Sequence, residues 1–75
     1  MSNDLIVRCF LENARLEGKN VTMSCDNTYE VVDLNNYNIV KNKLVVNDKV
    51  LDIRDVYENR DGYFMRIGEW ELVVN

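Results

Sequence analysis

From Lys43 onward, apolar positions come in short runs broken by turn residues. KLVV precedes Asn47-Asp48, KVLDIRDVYE precedes Asn59-Arg60-Asp61-Gly62, YFMRI precedes Gly68-Glu69, and residues 69–74 read EWELVV. Each run is short, bounded by turn formers and rich in β-branched or aromatic residues, which is the pattern of strands. In the last run Trp70, Leu72 and Val74 share one face and Glu71 and Val73 the other. Upstream, residues 21–25 alternate as a strand, Asp26-Asn27 turns the chain, and Tyr29 to Leu34 form another strand with Tyr29 and Val31 on one face. Residues 50–58 fit either a helical face (Val50, Ile53, Tyr57) or a strand face (Leu51, Ile53, Tyr57), and the β-branched content favours strand.

The first segment is the ambiguous one. Leu5, Val7, Cys9 and Leu11 alternate with Arg8 and Glu12 as a strand would, but Ile6 and Phe10 break strict alternation. The competing reading is a helix over residues 4–17, capped by Ser2 or Asn3, carried by the helix formers Ala14, Arg15 and Leu16, and stopped by Gly18. The strand reading is preferred. The predicted fold is then all-β: a small barrel or rolled antiparallel meander of six to seven short strands, one domain over residues 1–75. The alternative is an α+β fold with the 4–17 helix on a five- to six-stranded sheet. Closure into a barrel is favoured because it removes unpaired strand edges.

Residues 33–38, DLNNYN, are predicted to form a polar loop, because Asn and Asp side chains compete for backbone groups and tolerate left-handed conformations. Ile39 and Val40 re-enter the core as a short turn. Within the loop, Asp33, Asn36 and Tyr37 are candidate partner-binding residues, Tyr37 as the anchor, since tyrosine brings contact area at low entropy cost. Of the other aromatics, Tyr57, Phe64 and Trp70 are assigned to the core and Tyr63 to its rim.

Composition changes this picture mainly by exclusion. The chain has 47% hydrophobic residues, ordinary for a globular domain, but no histidine. It contains no phosphate-binding loop, nucleophile–base pair or metal-ligand spacing, and a chain this short has little room for a deep pocket. Enzyme activity and a cofactor are not expected. With no histidine, a zinc site at Cys9 and Cys25 would need carboxylates to complete it. If Gly18 turns a hairpin, these cysteines are diagonal neighbours rather than a facing pair, so buried free thiols are expected. No apolar run approaches the roughly 18 residues of a membrane helix. Met1-Ser2-Asn3-Asp4 lacks a basic signal-peptide start, so the protein is read as cytoplasmic.

Thirteen acidic residues against nine basic give a net charge of −4. The carboxylates Asp48, Asp52, Asp55, Glu58 and Asp61 recur every three or four positions. On a helix they would form a continuous acidic stripe; on strands the stripe dissolves into ordinary solvated faces. Asp52, Asp55 and Glu58 are taken as further partner-binding candidates, for a partner with a basic surface patch. Nucleic acid is the less favoured partner because the phosphate backbone repels a surface of this sign. That alternative would use Arg54, Arg66, Lys41 and Lys43 with Tyr63 on a small barrel. A homo-oligomer, pairing through an unpaired edge at residues 69–74, is the second alternative.

Three short stretches resemble Sm-like RNA-binding proteins: Leu16 to Val21 their first strand, Asp33 to Asn38 their Asp…Met-Asn motif, and Met65 to Gly68 their Arg-Gly element. The resemblance implies a small RNA-binding barrel. This chain departs from that pattern: Asp33 and Asn38 lie one position too far apart, Ile67 separates Arg66 from Gly68, and the strands are short with no mid-strand glycine. No family is assigned on these stretches. The reading that remains is a small accessory or inhibitory interaction module that occludes a surface of a host protein, in the manner of phage or mobile-element proteins.

Overall fold

In the computed structural model, which describes residues 2–75, the chain forms one N-terminal helix followed by eight strands. Helix α1 spans Asn3–Leu16, where the alternation of residues 5–12 predicts a strand. Its buried residues are Val7, Phe10, Leu11 and Ala14, the i, i+3, i+4, i+7 spacing of one helical face. Ile6 and Phe10, which spoil the strand alternation, fit this spacing. The Ser2 hydroxyl caps the start by accepting from the Leu5 N–H at 3.3 Å. The end is a Schellman motif: the Gly18 N–H donates to the Arg15 carbonyl (3.1 Å) and the Lys19 N–H to the Ala14 carbonyl (2.9 Å), with Gly18 at φ 69°. Residues 16–18, likened to an Sm-like first strand, are therefore the end of a helix.

The strands are β1 (Val21–Cys25), β2 (Thr28–Val31), β3 (Tyr37–Val40), β4 (Lys43–Val46), β5 (Lys49–Asp52), β6 (Val56–Glu58), β7 (Phe64–Ile67) and β8 (Trp70–Val74). They build two antiparallel sheets, one of five strands in the order β2-β1-β8-β7-β6 and one of three in the order β3-β4-β5. The sheets do not close into a barrel. The architecture is mostly β with an N-terminal helix, and so follows the α+β alternative. Residues 69–74 have no unpaired edge, because β8 lies between β1 and β7. The outermost strands are β2 and β6 in one sheet and β3 and β5 in the other.

Local sequence explains the turns. Lys41-Asn42 and Asn47-Asp48 both hold positive φ at two successive residues, as a type I′ hairpin turn requires. The segment 49–58 breaks at 53–55, where the Asp52 carboxylate accepts from the Arg54 backbone N–H at 3.0 Å and ends β5. Residues 37–40, expected as loop and turn, are strand β3. Tyr37 therefore opens a strand rather than riding a loop tip.

One core joins the three layers. It takes Val7, Phe10, Leu11 and Ala14 from the helix, Val21, Met23, Met65, Ile67 and Leu72 from the five-stranded sheet, and Ile39, Leu44, Val46 and Leu51 from the three-stranded sheet. Val32 and Ile53, in the two connections between sheets, are also buried. Polar ties reinforce the joints. The Asn3 side-chain amide donates to the carbonyls of Ile53 (2.8 Å) and Arg54 (3.1 Å), fixing the helix start to the β5–β6 connection. Neither cysteine is buried as expected: Cys9 is exposed on the helix, Cys25 is half-buried at the end of β1, and both are free thiols.

Candidate functional site

Side-chain alternation and strand register decide what each sheet shows to solvent. On the five-stranded sheet, Met23, Met65 and Leu72 point into the core, so their neighbours in sequence point out. Cross-strand pairing aligns those outward residues in two rows. One runs Val31, Thr22, Val73, Phe64; the other runs Tyr29, Ser24, Glu71, Arg66, Tyr57. Tyr29 is 70% exposed, Val31 58% and Tyr57 54%. Val73 is also exposed and Phe64 half-buried. The helix packs on the opposite, core-facing side, and among the described residues no element covers these rows.

The only charges within the rows are Arg66 and Glu71, directly paired in register and 4.0 Å apart. The Arg66 guanidinium lies 6.0 Å from the centre of the Tyr57 ring and 5.8 Å from that of Phe64, within cation–π range of both. With strands about 4.8 Å apart and about 3.3 Å of rise per residue, five strands by four residues give a face of roughly 300 Å² in plan. Five of its nine residues are apolar or aromatic, and exposed apolar groups gathered on one face and rimmed by polar ones mark interaction sites.

A second polar cluster lies between helix and β3. The Tyr37 hydroxyl donates to Glu12 Oε2, while Arg15 Nη2 and Nε donate to Glu12 Oε1 at 2.8 and 3.1 Å. The hydrogen bonds from Arg15 and then Tyr37 hold the Glu12 carboxyl below its ordinary range. Burial, followed by the hydrogen bond to Glu12 and then the Glu12 charge, pushes the Tyr37 phenol up to about 12. At neutral pH Glu12 is thus held ionised and Tyr37 protonated, so the pair is poised against proton transfer and works as a tie between layers.

The predicted site residues fall into two groups. Asp33, Asn36 and Tyr37 come together, lining with Asn47 and Asp48 a shallow concavity of about 320 Å³. The Asp33 carboxylate is engaged locally, accepting from the Asn35 N–H at 3.1 Å. Asp52, Asp55 and Glu58 do not gather on one element. Asp52 sits on β5, ion-paired with Arg54 and, at 3.5 Å, with Lys43, and the Arg54 bonds hold its carboxyl well below the usual carboxylate range. Asp55 is exposed in the next turn, where its backbone carbonyl accepts from the Gly68 N–H at 3.0 Å. Glu58 is exposed on edge strand β6 of the other sheet. Tyr57 and Phe64, expected in the core, stand on the outward face instead.

Asn47 has a role that a hairpin signal alone does not reveal. Its amide donates to the Val31 carbonyl (2.8 Å) and to Glu30 Oε1 (3.1 Å), and its Oδ1 accepts from the Asp33 N–H (3.0 Å). It thus fastens the β4–β5 turn to the edge of β2 and joins the two sheets. Lys49 adds an ion pair to Glu30 across the same joint, lowering the Glu30 carboxyl from its ordinary value, first through the Lys49 bond and then through Asn47.

Among the described residues no group of three or more Cys, Asp or Glu side chains is arranged to hold a metal ion, and no helix is long and apolar enough to cross a membrane. No protein-family model matches the chain, and comparison with curated proteins and with solved structures gives no match.

Proposed function

We propose that this protein is a small protein-interaction module whose contact surface is the outer face of the five-stranded sheet. The observation that carries this reading is the pair of rows holding Tyr29, Val31 and Tyr57, each more than half exposed, on a face no other element covers. Tyrosines held on a rigid sheet supply contact area with little ordering cost, and their hydroxyls tolerate water when the partner is absent. A face of this kind acts by occupancy, which fits an accessory or inhibitory role. The acidic remainder of the surface favours a partner with basic groups around its docking site. Tyr37 is a weaker anchor than Tyr29 or Tyr57, because its hydroxyl is committed to Glu12.

A tagged pull-down from lysate, with and without nuclease, tests the reading. The expected result is a near-stoichiometric protein that survives nuclease and is lost with the double variant Tyr29→Ser/Tyr57→Ser, whose thermal unfolding stays close to that of the parent. Retention of the same protein by the double variant would remove the sheet face from the account.

One observation favours a second reading, a nucleic-acid platform: Arg66 stands between two aromatic rings on an open sheet, a geometry suited to stacking bases. Glu71 beside it and the net charge of −4 oppose this. Binding to a labelled single-stranded oligonucleotide at low salt, falling steeply as salt rises, would support the platform; no binding at low salt ends it.

A further inference from the structure

The two charges on the outer sheet face point to an occupant. We infer that a second copy of this chain seats on that face, forming a two-fold dimer in which Arg66 of each copy pairs with Glu71 of the other. This rests on the reading of the face as a protein contact surface.

The argument is one of charge and shape. The chain carries −4 overall, but the face itself is neutral, since its one base and one acid cancel. A strongly basic partner would cover Arg66 with like charge, and an acidic one would do the same to Glu71. Burying an ion pair under a purely apolar partner strips its solvation without replacing it. The surface that fits has one acid and one base side by side, in reversed order, flanked by apolar and aromatic groups. This chain supplies that surface itself.

A two-fold axis lying in the interface, parallel to the strands and between β7 and β8, exchanges the positions of Arg66 and Glu71, which are cross-strand neighbours on those strands. The same operation sets Phe64 of one copy against Val73 of the other, a pair already in register within one sheet. Arg66 and Glu71 are free to re-pair: each side chain is 51% exposed, and their internal contact, at 4.0 Å, is at the outer limit of an ion pair. Two equally twisted sheets also pack face to face with their strands nearly aligned, as this axis requires.

The size of the face sets the strength. The axis sets β8 against β7 and β1 against β6 of the other copy and leaves β2, with Tyr29 and Val31, outside the overlap. Four strands by four residues are roughly 250 Å² in plan, well short of the ~800 Å² per partner of a standard stable interface, so the dimer is weak and reversible. Glu69, in the β7–β8 turn beside the axis, meets its own copy, and the net charge of −4 on each copy repels around the contact, so both weaken the dimer further.

Sedimentation equilibrium over a micromolar-to-millimolar range tests this on the full chain. The parent is expected to shift reversibly from monomer to dimer. Arg66→Glu and Glu71→Arg each place like charges across the axis and should weaken the dimer at least about tenfold, while the double variant Arg66→Glu/Glu71→Arg restores it and Glu69→Gln tightens it. A parent that stays monomeric at millimolar concentration overturns the inference, as does a dimer indifferent to both single reversals. The pull-down with Tyr29→Ser/Tyr57→Ser is scored separately: a monomeric parent that still captures a protein through the tyrosines refutes the self-association and leaves the contact surface standing. Loss of both refutes both.

Discussion

Asn47 shows how much one residue can hold. It sits at φ 53°, a left-handed conformation that asparagine tolerates better than most side chains, and from there makes hydrogen bonds to Glu30, Val31 and Asp33. Asn47→Gly keeps the backbone conformation and removes the bonds, so it should cost about 1–3 kcal/mol of unfolding free energy. Asn47→Ala should cost about 1 kcal/mol more, because a Cβ with no compensating polar group disfavours positive φ. Urea unfolding of the two variants measures both steps, and a glycine variant as stable as the parent would show that the sheet joint does not depend on this side chain. The sequence marks residues 47–48 as a turn through their chemistry. It does not mark the joint, because Glu30, Val31 and Asp33 are 14–17 residues away and only the fold brings them near.

At the scale of elements, helix α1 is the instructive case. Its signals were all present in the sequence: Ser2 before it, Asp4 in its first turn, Arg15 in its last, Gly18 after it, and apolar residues at 7, 10, 11 and 14. Residues 5, 7, 9 and 11 happen to alternate as well, and over so short a window the two periods overlap. The end of the pattern at Ala14 separates them, since a strand would have no reason to bury 10, 11 and 14 together. The C-terminal stop can be tested at Gly18. A Cβ there would touch nothing within 4 Å, so the cost of Gly18→Ala is purely conformational, about 1 kcal/mol, and should appear as a drop in thermal stability with unchanged helix content. A neutral or stabilising substitution would contradict the Schellman end. The strand pairings that make the outer face were less legible. Alternation told which way Tyr29 and Val31 face, but the pairing of β1 with β8 spans about fifty residues of chain, and nothing local encodes it. Without that pairing, Tyr57 and Phe64 look like core, because a small domain has few other large side chains to fill its centre.

The whole molecule is three layers joined by polar ties at their rims: Glu12 with Tyr37 between helix and small sheet, Glu30 with Lys49 and Asn47 between the sheets. These ties give stability a defined pH window. Glu12, Glu30 and Asp52 all have carboxyls lowered below the 4.5 and 3.8 of free Glu and Asp side chains. Their contribution is fully present above those values and is lost as pH falls through the lower folded-state values. Tyr37 works in the opposite sense. Its phenol is raised from 10.0 to about 12, so its contribution is complete below pH 10 and lost as pH rises toward 12. Urea midpoints should therefore be flat across neutral pH and fall at both ends, and Tyr37→Phe should flatten the alkaline fall while leaving the Glu30 and Asp52 share of the acid fall in place. An unchanged alkaline limb in Tyr37→Phe would show that another group sets it.

The outer face of the five-stranded sheet is where the account of function stands, and chemical-shift mapping of the ¹⁵N-labelled protein tests it most directly. Raising the protein from micromolar to millimolar concentration should move amide signals of residues 22, 24, 57, 64, 66, 71 and 73, which the two-fold axis brings into contact, and leave α1 and the 33–36 connection still. Spectra that do not change with concentration contradict the two-fold dimer, and changes centred on the helix or on the concavity beside Asp33 and Tyr37 contradict the sheet face as the contact surface.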